Sequence, residues 1–246
     1  NADHLKILRQ GVDTWNLLRM NNDAAVGRPD FSRANLRGAN LFRADLGGAN
    51  LCEADLRDAE LSAANLLDAN LIKADLRGAG LYRALLRYAD FRDANLQGAD
   101  LRQVDLCGAN LRWAKLDGAK LSGANLNYAN LVEADFTDAD LTNCWVYGIS
   151  AWGLKLNEGT KQQNLLITRT EEPQITADDI EVAQFLYLLL NNEKIRSVID
   201  TITSKAVLIL GRFTAERKAV LDNLRDELRK LDYLPMLFDF DKPAHK

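Results

Sequence analysis

The sequence predicts a mainly β chain whose central part winds as a solenoid of short extended sides, and three observations carry that prediction. Residues 29 to 143 repeat a five-residue unit 23 times without an inserted or deleted residue. The middle residue is Leu or Phe in every unit, from Phe31 to Leu141, and Ala stands two residues before it in 21 units, Pro29 and Val104 being the exceptions. The last position is often Gly, at Gly38, Gly48, Gly78, Gly98, Gly108, Gly118 and Gly123. A fixed short period means that each repeat buries its apolar residues only by stacking on its neighbours, which is the definition of a solenoid.

The unit is readable as geometry. Residues two apart on an extended segment point the same way, so Ala and Leu face inward and their flanks face solvent. A helix is excluded, because an apolar pair stepping by five drifts around a 3.6-residue period and leaves no buried stripe. Gly at the last position fits a corner with unusual backbone angles. The Asp or Asn that usually precedes the middle residue reads as a corner hydrogen-bonding group rather than as paired-carboxylate catalysis. Val104 adds methyl groups at a tight Ala site, and a small local bulge is expected there. Periodicity leaves three, four or five sides per coil open.

The A-(D/N)-L-x-x pattern resembles the pentapeptide-repeat family and covers 115 of 246 residues. The resemblance implies a right-handed quadrilateral β-helix with four units per coil. Nearly six coils at ~4.8 Å spacing make a rod of roughly 28 Å.

The flanks fill out four segments: 1–28, 29–143, 144–172 and 173–246. In the first, Leu5, Leu8, Val12, Trp15 and Leu18 fall at helical spacing, predicting one amphipathic helix over residues 3–20 that caps the open first coil. From Asn143 the repeat lapses, yet strand-like pieces around Trp145, Leu154 and Leu165 are expected to close the far end. Glu171-Glu172-Pro173 marks a boundary, and Thr176-Ala177-Asp178-Asp179 reads as a capping box opening a helix. After a short helix over Glu193–Ile202, a strand over Ala206–Leu210, a helix from Thr214 and a strand over Leu234–Phe240 make one βαβ unit. A single such unit does not cover its own sheet, so the chain is expected to stop inside a larger domain or to dimerise through residues 175–241.

Lys205-Ala206-Val207-Leu208-Ile209-Leu210-Gly211-Arg212-Phe213-Thr214, following a Trp-bearing helix and pentapeptides, resembles bacterial, chiefly cyanobacterial, proteins that join a pentapeptide solenoid to a Toll/interleukin-receptor-like domain. That implies a signalling module. Some relatives cleave NAD with a Glu on a later helix, and no position here matches it.

Chemistry is sparse. His4 and His245 lie near the chain ends, and Cys52, Cys107 and Cys144 are widely spaced, so no catalytic residue, metal site or cofactor is expected. Gly211-Arg212-Phe213-Thr214 at a strand end reads as an ordinary βα turn, since it lacks a phosphate-binding glycine pattern. No apolar run is long enough to span a membrane and no leader pattern is seen, which makes the cytoplasm the expected location. The repeats carry 17 acidic and 13 basic residues, a net of −4 and far from duplex charge density, so a gyrase-binding DNA mimic is the weaker alternative and nucleic acid is not an expected partner. Stepping by 20 residues sorts the outward positions into four faces. Arg37, Arg57 and Arg77 stack on one of them, with Asp55 and Asp75 placed to neutralise them. Another gathers Leu67, Leu85, Tyr88 and Tyr128 at positions that should face water. A contiguous apolar set marks an interface, so these four are the expected contacts for a protein partner and the chain is read as a non-catalytic scaffold.

Overall fold

The structure is a computed structural model that describes residues 2–21, 27–169, 171–194, 206–211, 215–231 and 234–239. The chain resolves into two compact units, Asn1–Tyr187 and Leu188–Lys246.

In the first unit every side of the solenoid is a single parallel bridge to the residue one coil away, as in Asp30↔Asn50, Asn35↔Asp55, Asn40↔Glu60 and Asp45↔Asn65. The step of 20 divides into four five-residue units, so a coil has four sides. Their middle Leu and Phe residues and the Ala residues fill the interior from Ala44 to Leu141 with almost no exposure. Small and large side chains alternate along each side, which lets a narrow interior pack without voids.

The unit's five backbone N–H groups all have assigned roles. In the unit around Leu46, the Leu46 N–H donates to the Asn65 carbonyl (2.7 Å), the Gly48 N–H to the Leu67 carbonyl (2.7 Å) and the Ala49 N–H back to the Leu46 carbonyl (3.0 Å). One coil on, the Asn65 N–H donates to the Ala44 carbonyl (2.9 Å). That leaves the residue after the middle one. Its N–H is taken by the Asp or Asn side chain two residues earlier, as in Gly47 to Asp45 Oδ1 (3.2 Å), Ile72 to Asn70 Oδ1 (3.1 Å) and Cys107 to Asp105 Oδ1 (3.2 Å). The preference for Asp or Asn before the middle Leu is therefore a backbone requirement met by a side chain.

The last residue of each unit is left-handed whatever its identity. Gly38 and Gly98 (φ 62° and 65°) are matched by Arg33, Ala63, Lys73 and Trp113 (φ 55° to 61°). No Val, Ile or Thr occupies this position between Arg33 and Asn143, whereas Ile72, Val132 and Thr137 stand one residue earlier. A β-branched residue at positive φ is strained, and the composition of the repeat reflects it.

Val104 is buried and keeps the register, with Asp105 bridging both Leu85 and Asn125. The expected bulge is absent. The extra methyls instead lengthen the turn hydrogen bond from the Val104 N–H to the Leu101 carbonyl to 3.4 Å, against 3.0 Å at Ala99 and 2.9 Å at Ala109.

The N-terminal segment forms two helices, α1 (Ala2–Leu8) and α2 (Val12–Met20), rather than one over 3–20. Gly11 at φ 126° is the break. Side chains from the pair stand where a preceding coil's backbone would be. The Trp15 Nε1–H donates to the Asp45 carbonyl (2.7 Å), Asn16 Oδ1 accepts from the Asp45 N–H (2.8 Å), Arg19 donates to the Gly47 carbonyl (2.9 Å), and His4 Nδ1 accepts from the Asp30 N–H (3.0 Å). The buried Trp15 ring meets Phe31 edge-on at 5.3 Å.

At the other end the bridges continue past Asn143, through Asn125↔Trp145, Asn130↔Ser150 and Asp135↔Lys155. One extra residue enters before Asp140↔Lys161, where Asn157, Thr160 and Asp138 hydrogen-bond with one another or with nearby backbone. β1 (Leu165–Leu166) pairs antiparallel with β2 (Thr176–Ala177), so residues 173–187 pack with the solenoid. Thr176 is thus a strand residue and not a helix cap. The cap of α3 (Ile180–Asn191) is Asp179, whose Oδ1 accepts the Glu181 and Val182 N–H groups at 2.9 Å each. Ile180 and Ala183 of α3 are buried, and the buried Gln184 Oε1 accepts the Ala151 N–H.

The second unit contains β3 (Ala206–Gly211), α4 (Ala215–Lys230) and β4 (Leu234–Asp239), with the two strands parallel from Ala206↔Leu234 to Gly211↔Asp239. This is the expected βαβ unit. Most of the helix expected over Glu193–Ile202, the Thr214 cap and the Arg212-Phe213-Thr214 turn lie outside the described residues. Among the described residues no helix is long and apolar enough to cross a membrane.

Two predictions follow from the coil. Ala63→Gly should stabilise the protein by about 1 kcal/mol and Ala63→Val should destabilise it by roughly 1–2 kcal/mol, while Ser62→Val changes little; urea unfolding reads all three. Acid should act in a defined window. Hydrogen bonds from the Arg57 guanidinium hold the Asp55 carboxyl at about 2, and Arg77 likewise lowers Asp75. A carboxyl whose folded value lies below its unfolded value of about 3.9 contributes stability that is full above that value and lost as pH falls through the folded one. The thermal midpoint should therefore hold from pH 7 to about 5 and drop between about 4 and 2, less steeply in Arg57→Gln.

Candidate protein-contact face

The face running from Asp45 to Tyr147 departs most from the repeat's polar exterior. All four residues expected there are exposed: Leu67 at 40%, Leu85 at 49%, Tyr88 at 57% and Tyr128 at 51%. Leu85 stands where an Asp or Asn would accept the next corner's N–H, so this unit gives up a backbone acceptor for an exposed apolar side chain. Tyr88 and Tyr128 are last-position residues of the same corner, two coils apart, held left-handed at φ 59° and 60°.

Each tyrosine ring lies across the glycine that follows it in the column. A Cβ on Gly108 would stand 2.6 Å from the Tyr88 ring, and one on Gly148 would stand 2.7 Å from the Tyr128 ring. These two glycines are needed for the rings, since many non-Gly residues hold the same φ elsewhere. Arg87 lies over the Tyr88 ring at 5.7 Å and pairs with Asp105 at 3.5 Å. Tyr128 meets Tyr147 edge-on at 5.5 Å, and Tyr147 in turn meets Tyr187 of α3 edge-on at 4.9 Å, with Arg169 over Tyr147 at 5.2 Å. Burial pushes the Tyr187 phenol up from its ordinary value.

Trp145 and Tyr147 belong to this face and are missing from the sequence-based set. Stepping 20 from Asn125 and Asn127 finds them, but the lapse of the repeat at Asn143 hides that the register continues. Trp113 and Trp152 are exposed on the neighbouring face, Trp113 inside the regular repeat and Trp152 past its lapse. There Arg112 stacks on Trp113 at 3.8 Å, and the Trp113 Nε1–H donates to Glu133 at 3.0 Å.

The stacked arginines are neutralised as their neighbours imply. Arg57 pairs with Asp55 at 2.6 Å and reaches Asp75 at 3.6 Å, Arg77 pairs with Asp75 at 2.7 Å, and Arg37 pairs with Asp58 at 3.3 Å. Arg92–Asp90 and Arg102–Asp100 repeat the same fork within one unit. Among the described residues no cluster of His, Cys, Asp or Glu is arranged to hold a metal ion. Burial pushes the Cys144 thiol up to about 12, which makes it a core side chain and not a nucleophile at neutral pH.

The family model agrees with the repeat read from the residues. The family model described as pentapeptide repeats matches residues 27–58, 39–78, 84–123 and 114–149. HetL, a pentapeptide repeat protein involved in heterocyst differentiation regulation in the cyanobacterium Nostoc, is 32% identical over 55% of this chain and 72% of its own, with a TM-score of 0.37. A pentapeptide repeat protein of the Arabidopsis thaliana thylakoid lumen is 29% identical over 47% of this chain and 70% of its own, with a TM-score of 0.30. QnrB1, a plasmid-mediated fluoroquinolone resistance protein, is 26% identical over 52% and 78%, with a TM-score of 0.19. No curated protein matches the sequence. The matched repeats end at residue 149, and through them the chain belongs to the pentapeptide-repeat family.

Proposed function

We propose that this chain is a non-catalytic scaffold that presents the Leu67–Leu85–Tyr88–Tyr128 face to another protein, in bacterial signalling or regulation. The observation that carries the reading is the pair of tyrosine rings laid over Gly108 and Gly148 on a rigid corner, beside a Leu85 that replaces a structural Asp or Asn. Aromatic side chains already held in place lose little conformational freedom on binding, so they contribute strongly to an interface. Carboxylates such as Asp55, Asp90 and Asp100 are committed to corner N–H groups and to Arg forks, which weakens the reading of an acidic rod imitating a duplex. The link to signalling rests on the likeness of residues 205–246 to the start of a Toll/interleukin-receptor-like domain, and a cytoplasmic setting on the widely spaced, free cysteines. In that segment the parallel pair β3–β4, the exposed Val220 and Leu224 of α4 and the exposed Leu231 just after it favour a homodimer, because a two-stranded sheet and an open apolar stripe gain from a second copy.

Crosslinking of the full chain in a bacterial lysate tests the reading. A specific partner should be recovered with the wild type and lost with Leu85→Asp/Tyr88→Ser, at a thermal midpoint no lower than the wild type's. Gly108→Ala, which displaces the Tyr88 ring, should weaken recovery, and light scattering on the same preparation should give the mass of two chains. Equal recovery by all variants contradicts the contact face, and the mass of a single chain contradicts the dimer.

A further inference from the structure

We propose that the face takes an amphipathic helix of the partner protein, which sets an aromatic side chain edge-on against Tyr88 as α3 sets Tyr187 against Tyr147. The inference rests on the contact face proposed above and names the kind of element that fills it. The face already carries one helix at its far end. There Tyr128, Tyr147 and Tyr187 form a run of edge-on rings, while Ile180, Ala183 and Gln184 anchor α3 on the coil. The uncovered part is continuous with that interface along the same column.

The composition of the column explains where the second helix belongs. Beside Tyr128, the next coil supplies Tyr147, whose ring edge pairs with it. Beside Tyr88, the equivalent position is Cys107, a small buried side chain that offers no ring. Among the described residues no aromatic ring of the chain stacks on Tyr88, which stays more than half exposed. An aromatic group from outside completes at Tyr88 what Tyr147 and α3 complete at Tyr128.

Spacing fits as well. Tyr88 and Tyr128 are two coils apart on one corner, about 9.6 Å at the usual strand separation. Residues seven apart on a helix are separated by about 10.5 Å. A helix lying along the corner therefore places apolar side chains from one face against both tyrosines and Leu85, leaving Asp68, Arg87 and Asn127 at the rim to meet its polar flank.

The probe is a labelled peptide of residues Asp179–Asn192 with two lysines added for solubility, titrated with the full chain and followed by fluorescence anisotropy. Saturable binding is expected. It should weaken at least tenfold with Tyr88→Ser in the protein or Tyr187→Ser in the peptide, and not with Trp113→Ser. Absence of saturable binding, or binding indifferent to Tyr88→Ser, overturns the inference. If the peptide fails while Leu85→Asp/Tyr88→Ser still abolishes partner recovery, the helix is wrong and the contact face stands; if both fail, both fall.

Discussion

The hydrogen bond from the third N–H of each corner to a side-chain oxygen two residues earlier is the interaction on which the solenoid depends. Four of the unit's five N–H groups are satisfied by backbone, three of them between coils and one across the turn. The fifth points outward, where no strand follows. An Asp or Asn supplies the missing acceptor in unit after unit, from Asp30 to Asp140. With that group in place the chain turns without inserting residues, and the left-handed last position closes each side. The exactness of the repeat follows from the ladder between coils, in which each unit pairs with the one 20 residues away.

The same constraint shows where the repeat has been relaxed. Gly80, Leu85, Lys115 and Lys120 replace the acceptor. Three of these are small or charged and suit a solvated surface. Leu85 is neither, and it sits in the same unit as Tyr88, whose Cδ1–Cε1 ring edge occupies the space a Cβ on Gly108 would need. Rigid stacking turns a few exposed side chains into a fixed pattern along the rod, which is the property a recognition surface requires. The aromatic run through Tyr128, Tyr147 and Tyr187 shows the same corner already holding a helix.

Much of this was legible from the residues. The inward Ala and Leu, the corner glycines, the polar corner groups and the βαβ order all follow from side-chain alternation and turn chemistry. The four face residues are where stepping by 20 places them. What was illegible has physical causes. Gly11 breaks the amino-terminal helix through a backbone angle that apolar spacing does not register. Thr176 reads as a cap from its local helical pattern, whereas pairing with Leu166, ten residues back, decides its conformation. Val104 is absorbed by a stretched turn, a compliance invisible in a sequence. Trp145 and Tyr147 are illegible as face residues because the coil outlasts its consensus, its backbone ladder tolerating residues that the repeat rarely uses.

The central claim is that side-chain acceptors, not buried area alone, hold each corner. Residue-resolved amide hydrogen exchange on the full chain tests it most directly. The corner N–H groups of Gly47, Ile72 and Cys107, which have a side-chain acceptor, should be protected to nearly the level of their coil neighbours. Those of Tyr82, Arg87, Asp117 and Ser122, which follow Gly80, Leu85, Lys115 and Lys120, should exchange many-fold faster within the same stable coils. Uniform protection across both groups would contradict the account.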